Sequence, residues 1–169
     1  PFAARTDTLS PHLKDYDVNV TGSRNVLDAV RACPGIHRLI MTSTQYVYKS
    51  AQRPFPLADD DYAPHTVYGE SKAIMERETR AADLSCTWTI VRPANIWGPW
   101  HMRYPQELWK VLARGLYVHP GRAPVIRTYG YVKNVVHQVC QILSAPTDAV
   151  SGKTFYVGDQ PLDSYLWLN

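Results

Sequence analysis

Three residues of this chain could share a single proton: Thr44, Tyr68 and Lys72. Tyr68 and Lys72 stand four apart, so on a helix of 3.6 residues per turn they occupy one face, one turn from each other. A free phenol titrates near pH ~10 and needs help to act as an acid or base at neutral pH. A lysine ammonium one turn away favours the phenolate. Lowering the phenol by about three units asks for roughly 4 kcal/mol, which a low-dielectric site could supply. Thr44 ends the apolar run Leu39-Ile40-Met41 and its flanking hydroxyls, and would hydrogen-bond the same substrate oxygen during transfer. Tyr-x-x-x-Lys by itself arises often by chance on helix surfaces, so its surroundings carry the weight.

Those surroundings alternate between helix and strand. His12 to Cys33 has helical character, with Val20, Val26, Leu27 and Val30 as its apolar stripe and Pro34-Gly35 as its stop. Arg38 to Thr42 is short, apolar and flanked by breakers, which predicts a buried parallel strand. Ser50 to Thr66, with Pro54, Pro56 and Pro64, predicts a surface loop. The next helix is expected over Val67 to Ala82, with Glu76 and Arg80 as an i, i+4 pair. Trp88 to Val91 predicts a second strand ending at Arg92-Pro93, followed by a turn-rich segment from Ala94 to Pro99. Pro105 to Arg114 predicts a short helix with Leu108, Val111 and Leu112 inward, and Val125 to Tyr129 a strand. Val132, Val135, Val136, Val139, Cys140 and Leu143 give the clearest amphipathic helix in the chain. Thr154 to Val157 is a further strand, with a last helix expected near Asp163; Pro1 to Ser10 reads as a strand tail and loop.

Such alternation implies an α/β fold with an open, mostly parallel sheet covered on both sides. Ligands in these sheets bind at the carboxyl ends of strands, which makes Thr42–Gln45 and Arg92–Asn95 the expected rim. Arg92 itself reads as a structural ion-pair partner. Trp97, Trp100, Trp109 and Tyr104 could line a sugar or base as an aromatic wall, or could pack in the core.

Composition narrows the class. The net charge of +3 is spread along the 169 residues without a basic run, which disfavours nucleic-acid or membrane binding. Three well-separated cysteines offer neither a disulfide framework nor a zinc spacing, and the six histidines show no metal pattern, so no metal is expected. Asp59-Asp60-Asp61 reads as a solvated face. Without an apolar run near 18 residues, a reducing, cytoplasmic setting is expected.

Thr42-Ser43-Thr44-Gln45-Tyr46-Val47-Tyr48, Tyr68-Gly69-Glu70-Ser71-Lys72 with Glu76, and Arg92-Pro93-Ala94-Asn95-Ile96-Trp97-Gly98-Pro99 together resemble the extended short-chain dehydrogenase/reductase family. These are the NAD-dependent epimerases and dehydratases of nucleotide sugars. Phe2-Ala3-Ala4, Asn19 to Ala29 and Arg127 to Val132 extend the resemblance, in order, over nearly the whole chain. It implies the second half of a Rossmann-like doubly wound parallel sheet with part of a smaller substrate-binding lobe. Residues 1–169 would form one incomplete NAD(P)-binding domain, with 95–130 and 158–169 contributing to the lobe. It also implies NAD or NADP as cofactor, with Thr44, Tyr68 and Lys72 catalytic. Ala3, Ala4, Tyr68, Lys72 and Pro93 match cofactor-binding positions; Gln45, Asn95 and Arg127 match substrate-binding ones. Asn19 matches a helix asparagine that supports the site through its neighbours. A homodimer through the helices near 12–33 and 67–82 is implied as well.

Two departures bear on the reaction. Dehydratases of the family place acids directly after the catalytic Thr/Ser, where this chain has Gln45 and Tyr46, so epimerisation or ketone reduction is favoured. The Gly-rich turn that holds the cofactor pyrophosphate is absent from these residues. The chain therefore reads as a central piece that turns over little in isolation. The alternative is a non-catalytic dinucleotide-binding sensor or scaffold of the same fold, which need not use the three residues.

Overall fold

The computed structural model describes residues 1–49, 58–101, 104–118, 121 and 124–165, and the following account concerns those residues. The predicted loop from Ser50 onward thus lies outside the described residues up to position 57, as do residues 166–169 of the expected last helix. The chain divides into two units, one of residues 1–92 and 141–156 and one of residues 93–140 and 157–169.

In the first unit, a short 3-10 turn at Leu13–Tyr16 leads into helix α1, Asp17–Ala32. Strand β1 is Arg38–Thr42, helix α2 is Val67–Ala81 and strand β2 is Thr87–Pro93. Strand β1 runs parallel to β2, with Met41 opposite Ile90, as expected; its Leu39 and Met41 are buried, while the alternate Arg38, Ile40 and Thr42 are half-buried. Strand β6, Thr154–Val157, lies on the far side of β2, giving the order β1-β2-β6. Helices α1 and α2 bury Leu27, Val30, Met75 and Ala82 against Leu39, Met41, Cys86 and Ile90. The 3.6-residue stripes of the helices and the continuous apolar strands meet in this layer. Residues Pro1–Ser10 carry no strand, contrary to the expected strand tail. Their backbone bonds go instead to side chains: the Arg5 amide donates to Asn19 and the Asn19 amide returns a bond to the Arg5 carbonyl.

The second unit departs more from expectation. Asn95–Trp97, predicted as a turn, is strand β3, paired in parallel with β5, Tyr129–Tyr131. The single strand expected over Val125–Tyr129 is split: β4, Ile126–Arg127, pairs antiparallel with β7, Leu162–Asp163. Asp163 ends strand β7, and Ser164 and Tyr165 directly after it are helical, where the last helix was expected to begin. Tyr104–Trp109 forms a wide π-type turn that continues into the single turn α3, Lys110–Ala113, and Val111 is 38% exposed rather than inward. Trp100 is 96% exposed at φ 70°, Trp97 packs on Tyr131, and Tyr104 on His101, so the four aromatics do not form one wall. Helix α4, Val132–Ser144, has the expected stripe, yet of it only Val135 is buried and Val136 is 55% exposed. A short helix α5, Thr147–Val150, precedes β6.

Gly69 is required by a close approach. Helix α2 begins with the Thr66 hydroxyl accepting from the Gly69 amide at 3.0 Å, and a Cβ on Gly69 would stand 2.2 Å from the Tyr46 carbonyl oxygen. Gly69→Ala gains about 1 kcal/mol of helix propensity yet should destabilise the chain by roughly 1–3 kcal/mol through overpacking. A lower midpoint in urea denaturation is the expected result.

Candidate functional site

One face of α2 supplies the site. Tyr68, Lys72 and Glu76 follow at one-turn intervals, all buried, and each meets one residue of the segment that closes β1. Thr44 lies beside the Tyr68 phenol, near enough to lower its pKa. The Lys72 ammonium donates to the Thr42 carbonyl at 2.9 Å, and the Glu76 carboxylate accepts from the Ser43 hydroxyl. Thr44 also caps the short 3-10 turn Gln45–Val47, accepting from the Tyr46 amide at 3.3 Å. Strand β2 holds the same segment from the other side, since the Ser43 amide donates to the Val91 carbonyl at 2.7 Å.

Burial sets the electrostatics. It pushes the Tyr68 phenol above its ordinary value, and Thr44 pulls it partway back. The expected lowering of Tyr68 by Lys72 is therefore not the state of this chain. The Lys72 ammonium turns to the Thr42 carbonyl, and burial lowers its pKa to about 8, against a smaller opposing pull from Glu76. Tyr46 lies edge-on to Tyr68 at 6.2 Å and Tyr16 tilts against it at 6.4 Å, giving the phenol an aromatic enclosure that sequence reasoning did not pick out.

Asn19 reaches the same place from α1. Its amide donates to the Arg5 carbonyl at 2.9 Å and to the Ser71 hydroxyl at 3.0 Å, and Ser71 donates to the Tyr68 carbonyl at 2.7 Å. The opening segment with Ala3 and Ala4 is thereby tied to the backbone of the Tyr68 turn. Gln45 follows Thr44 directly and is half-buried; Pro93 ends β2. Asn95, half-buried in β3, and Arg127, exposed in β4, belong to the second unit.

Behind this face lies a second polar cluster. Arg92 and Glu76 are both 0% exposed and joined through Nε at 2.9 Å and Nη2 at 2.6 Å. This is the structural ion pair expected of Arg92. Burial opposes the Arg92 charge, but the Glu76 hydrogen bonds outweigh it and raise its pKa. Tyr62 donates to Glu76 at 3.0 Å, and burial, then the Glu76 charge, push it up to about 12. The Asp59 carbonyl accepts from Arg92 at 2.5 Å, so the triple aspartate takes part through its backbone as well as facing solvent.

The model of the NAD dependent epimerase/dehydratase family matches residues 3–158. The chain belongs to this family. It is 33% identical over 138 residues to the N-acetyl-alpha-D-glucosaminyl-diphospho-ditrans,octacis-undecaprenol 4-epimerase of Escherichia coli O157:H7, covering 79% of this chain and 41% of that protein. It is 32% identical over 169 residues to the decarboxylating sterol-4-alpha-carboxylate 3-dehydrogenase of Saccharomyces cerevisiae, covering 90% of this chain and 47% of that protein. The chain thus spans less than half the length of these curated relatives. Among solved structures, the UDP-glucose 4-epimerase of Thermotoga maritima matches 99% of this chain and 57% of its own, with a TM-score of 0.76 at 22% identity. That likeness shows the fold, Rossmann-like with a parallel sheet, and the family's cofactor is NAD.

The donors present suit a ribose. An ammonium has three N–H groups, of which the described residues take one from Lys72. The Thr42 hydroxyl is buried without a partner among the described residues. Lys72 and Tyr68 are side chains that could meet the ribose hydroxyls of such a cofactor.

The lowered Lys72 pKa has a measurable sign. Between about 8 and the ordinary 10.5 the unfolded chain binds a proton that the folded chain does not. This group's contribution to stability is therefore present above 10.5 and lost as pH falls to about 8. Lys72→Met should stabilise the chain at pH 7 by on the order of 1–3 kcal/mol, and the advantage should vanish as pH approaches 10.5. Urea titrations across this range check it.

Proposed function

We propose that this chain carries the catalytic half of an NAD-dependent enzyme that oxidises or reduces a secondary alcohol carbon of a nucleotide sugar, as an epimerase or reductase. The observation that carries the reading is the convergence of Tyr68, Lys72 and Thr44 at the end of β1. Tyr68 takes the proton of the substrate hydroxyl and returns it. Thr44, beside that phenol, holds the reacting oxygen in place. Lys72 stabilises the phenolate as it forms and binds ribose hydroxyls. NAD, when bound, would supply the acceptor for the hydride leaving that carbon. Ala3, Ala4 and Pro93 line its path by backbone. Gln45 serves as a substrate-binding residue of the first unit; Asn95 and Arg127 serve as substrate-binding residues of the second, and residues 95–130 and 158–169 contribute to the substrate lobe. An amide at Gln45 and a phenol at Tyr46 lack the carboxylic acid that eliminating water calls for, so the reaction stops short of dehydration.

The outer sides of α1 and α2, joined by the Arg24–Glu78 ion pair at 2.6 Å, form the surface through which two copies associate. A monomeric sedimentation coefficient of the whole protein would remove that part of the reading. A second substrate reading follows from the yeast relative, whose name is that of a sterol dehydrogenase: the same three residues would serve a 3-hydroxysterol equally well.

In the whole protein, Tyr68→Phe should lower kcat at least about 100-fold with NAD binding largely retained. An unchanged rate would point to a dinucleotide-binding scaffold instead. Formation of the epimer or of NADH from a UDP-sugar panel, set against NADH formation from a 3β-hydroxysterol, separates the two substrate classes.

A further inference from the structure

The proton-transfer face of α2 does not stop at Lys72. Tyr68, Lys72 and Glu76 stand on one face, and their partners Thr44, Thr42 and Ser43 are consecutive residues. Successive side chains of an extended segment point to opposite sides, so Ser43 turns away from Thr42 and Thr44 and toward Glu76. The Glu76 carboxylate is in turn immobilised. Arg92 grips both of its oxygens, at 2.9 and 2.6 Å, Tyr62 donates to Oε2 at 3.0 Å, and Arg80 lies 3.8 Å away. Arg92 is itself held by the hydroxyls of Tyr48 at 3.2 Å and Tyr156 at 2.9 Å and by the Asp59 carbonyl.

We infer that Ser43 and Glu76 are positioning residues. Their hydrogen bond, anchored by Arg92, fixes the strand-end segment against α2 so that the Thr42 carbonyl meets Lys72 and the Thr44 hydroxyl meets Tyr68. A displacement of Ser43 moves both neighbours at once, because they share its backbone. The cluster thus acts on the reacting groups without touching substrate. This inference rests on the proposed role of Tyr68, Lys72 and Thr44.

Its test needs no turnover, so it stands or falls separately from that role. The ζ-proton exchange of Lys72 is followed by nitrogen-detected NMR in this chain and its variants. Glu76→Gln leaves Arg92 buried without a counter-charge and endangers folding; Ser43→Ala removes only the link to the strand end. Ser43→Ala should speed Lys72 ζ-proton exchange about five- to tenfold, with the α2 amide resonances retained. Ser43→Thr, which keeps the hydroxyl, should stay near the parent rate. Tyr62→Phe removes a different bond to the same carboxylate and should leave Lys72 exchange unchanged. Unaltered exchange in Ser43→Ala, or equal acceleration in Tyr62→Phe, would overturn the assignment. Global unfolding of Ser43→Ala would do so too, because the link would then serve the fold and not the site.

Discussion

A guanidinium and a carboxylate with no exposed surface face each other between the end of β2 and the middle of α2. Taking two such charges out of water is costly, and their attraction compensates only when geometry is good and the remaining donors and acceptors are filled. Here they are: Arg92 also meets two tyrosine hydroxyls and a backbone carbonyl, while Glu76 also meets Ser43 and Tyr62. A buried pair of this kind is weak evidence for added stability but restricts the arrangements open to the chain. Helix α2 cannot slide or rotate relative to β1 and β2 without leaving a charge unmatched.

That restriction is what the proposed chemistry needs. Hydroxyl, phenol and ammonium must be held within tenths of an ångström of their working geometry, by side chains whose own conformations are fixed. The site achieves this with two supports on opposite sides. Asn19 and Ser71 fix the first turn of α2 from α1, and Glu76 with Arg92 fixes its middle from the sheet. Gly69, between them, lets the helix approach the Tyr46 carbonyl closely enough for Tyr68 to reach Thr44.

The electrostatic state of this face is made by the chain's own residues. Burial alone raises the phenol and lowers the ammonium, which keeps both groups nearer neutrality. A cationic ring bound nearby would shift the phenol the other way, toward the phenolate.

Local sequence determined much of the first unit. An apolar run bounded by breakers can hardly be anything but a buried strand, and Arg38–Thr42 is one; helical spacing put Tyr68 and Lys72 on one face before any coordinates. The motifs around them led to the family, and Arg92 was legible as an ion-pair partner. Tertiary structure decided what depends on distant neighbours. Whether Asn95–Trp97 is turn or strand is settled by Tyr129–Tyr131 pairing with it, and the split after Arg127 by a partner 35 residues further on at Leu162. Short strands have little local preference of their own, because pairing and same-face packing supply it. The direction of the Tyr68 pKa was likewise invisible in a spacing argument. It depends on how much water is removed and on which acceptor the lysine ammonium finds, and in the folded chain that acceptor is the Thr42 carbonyl.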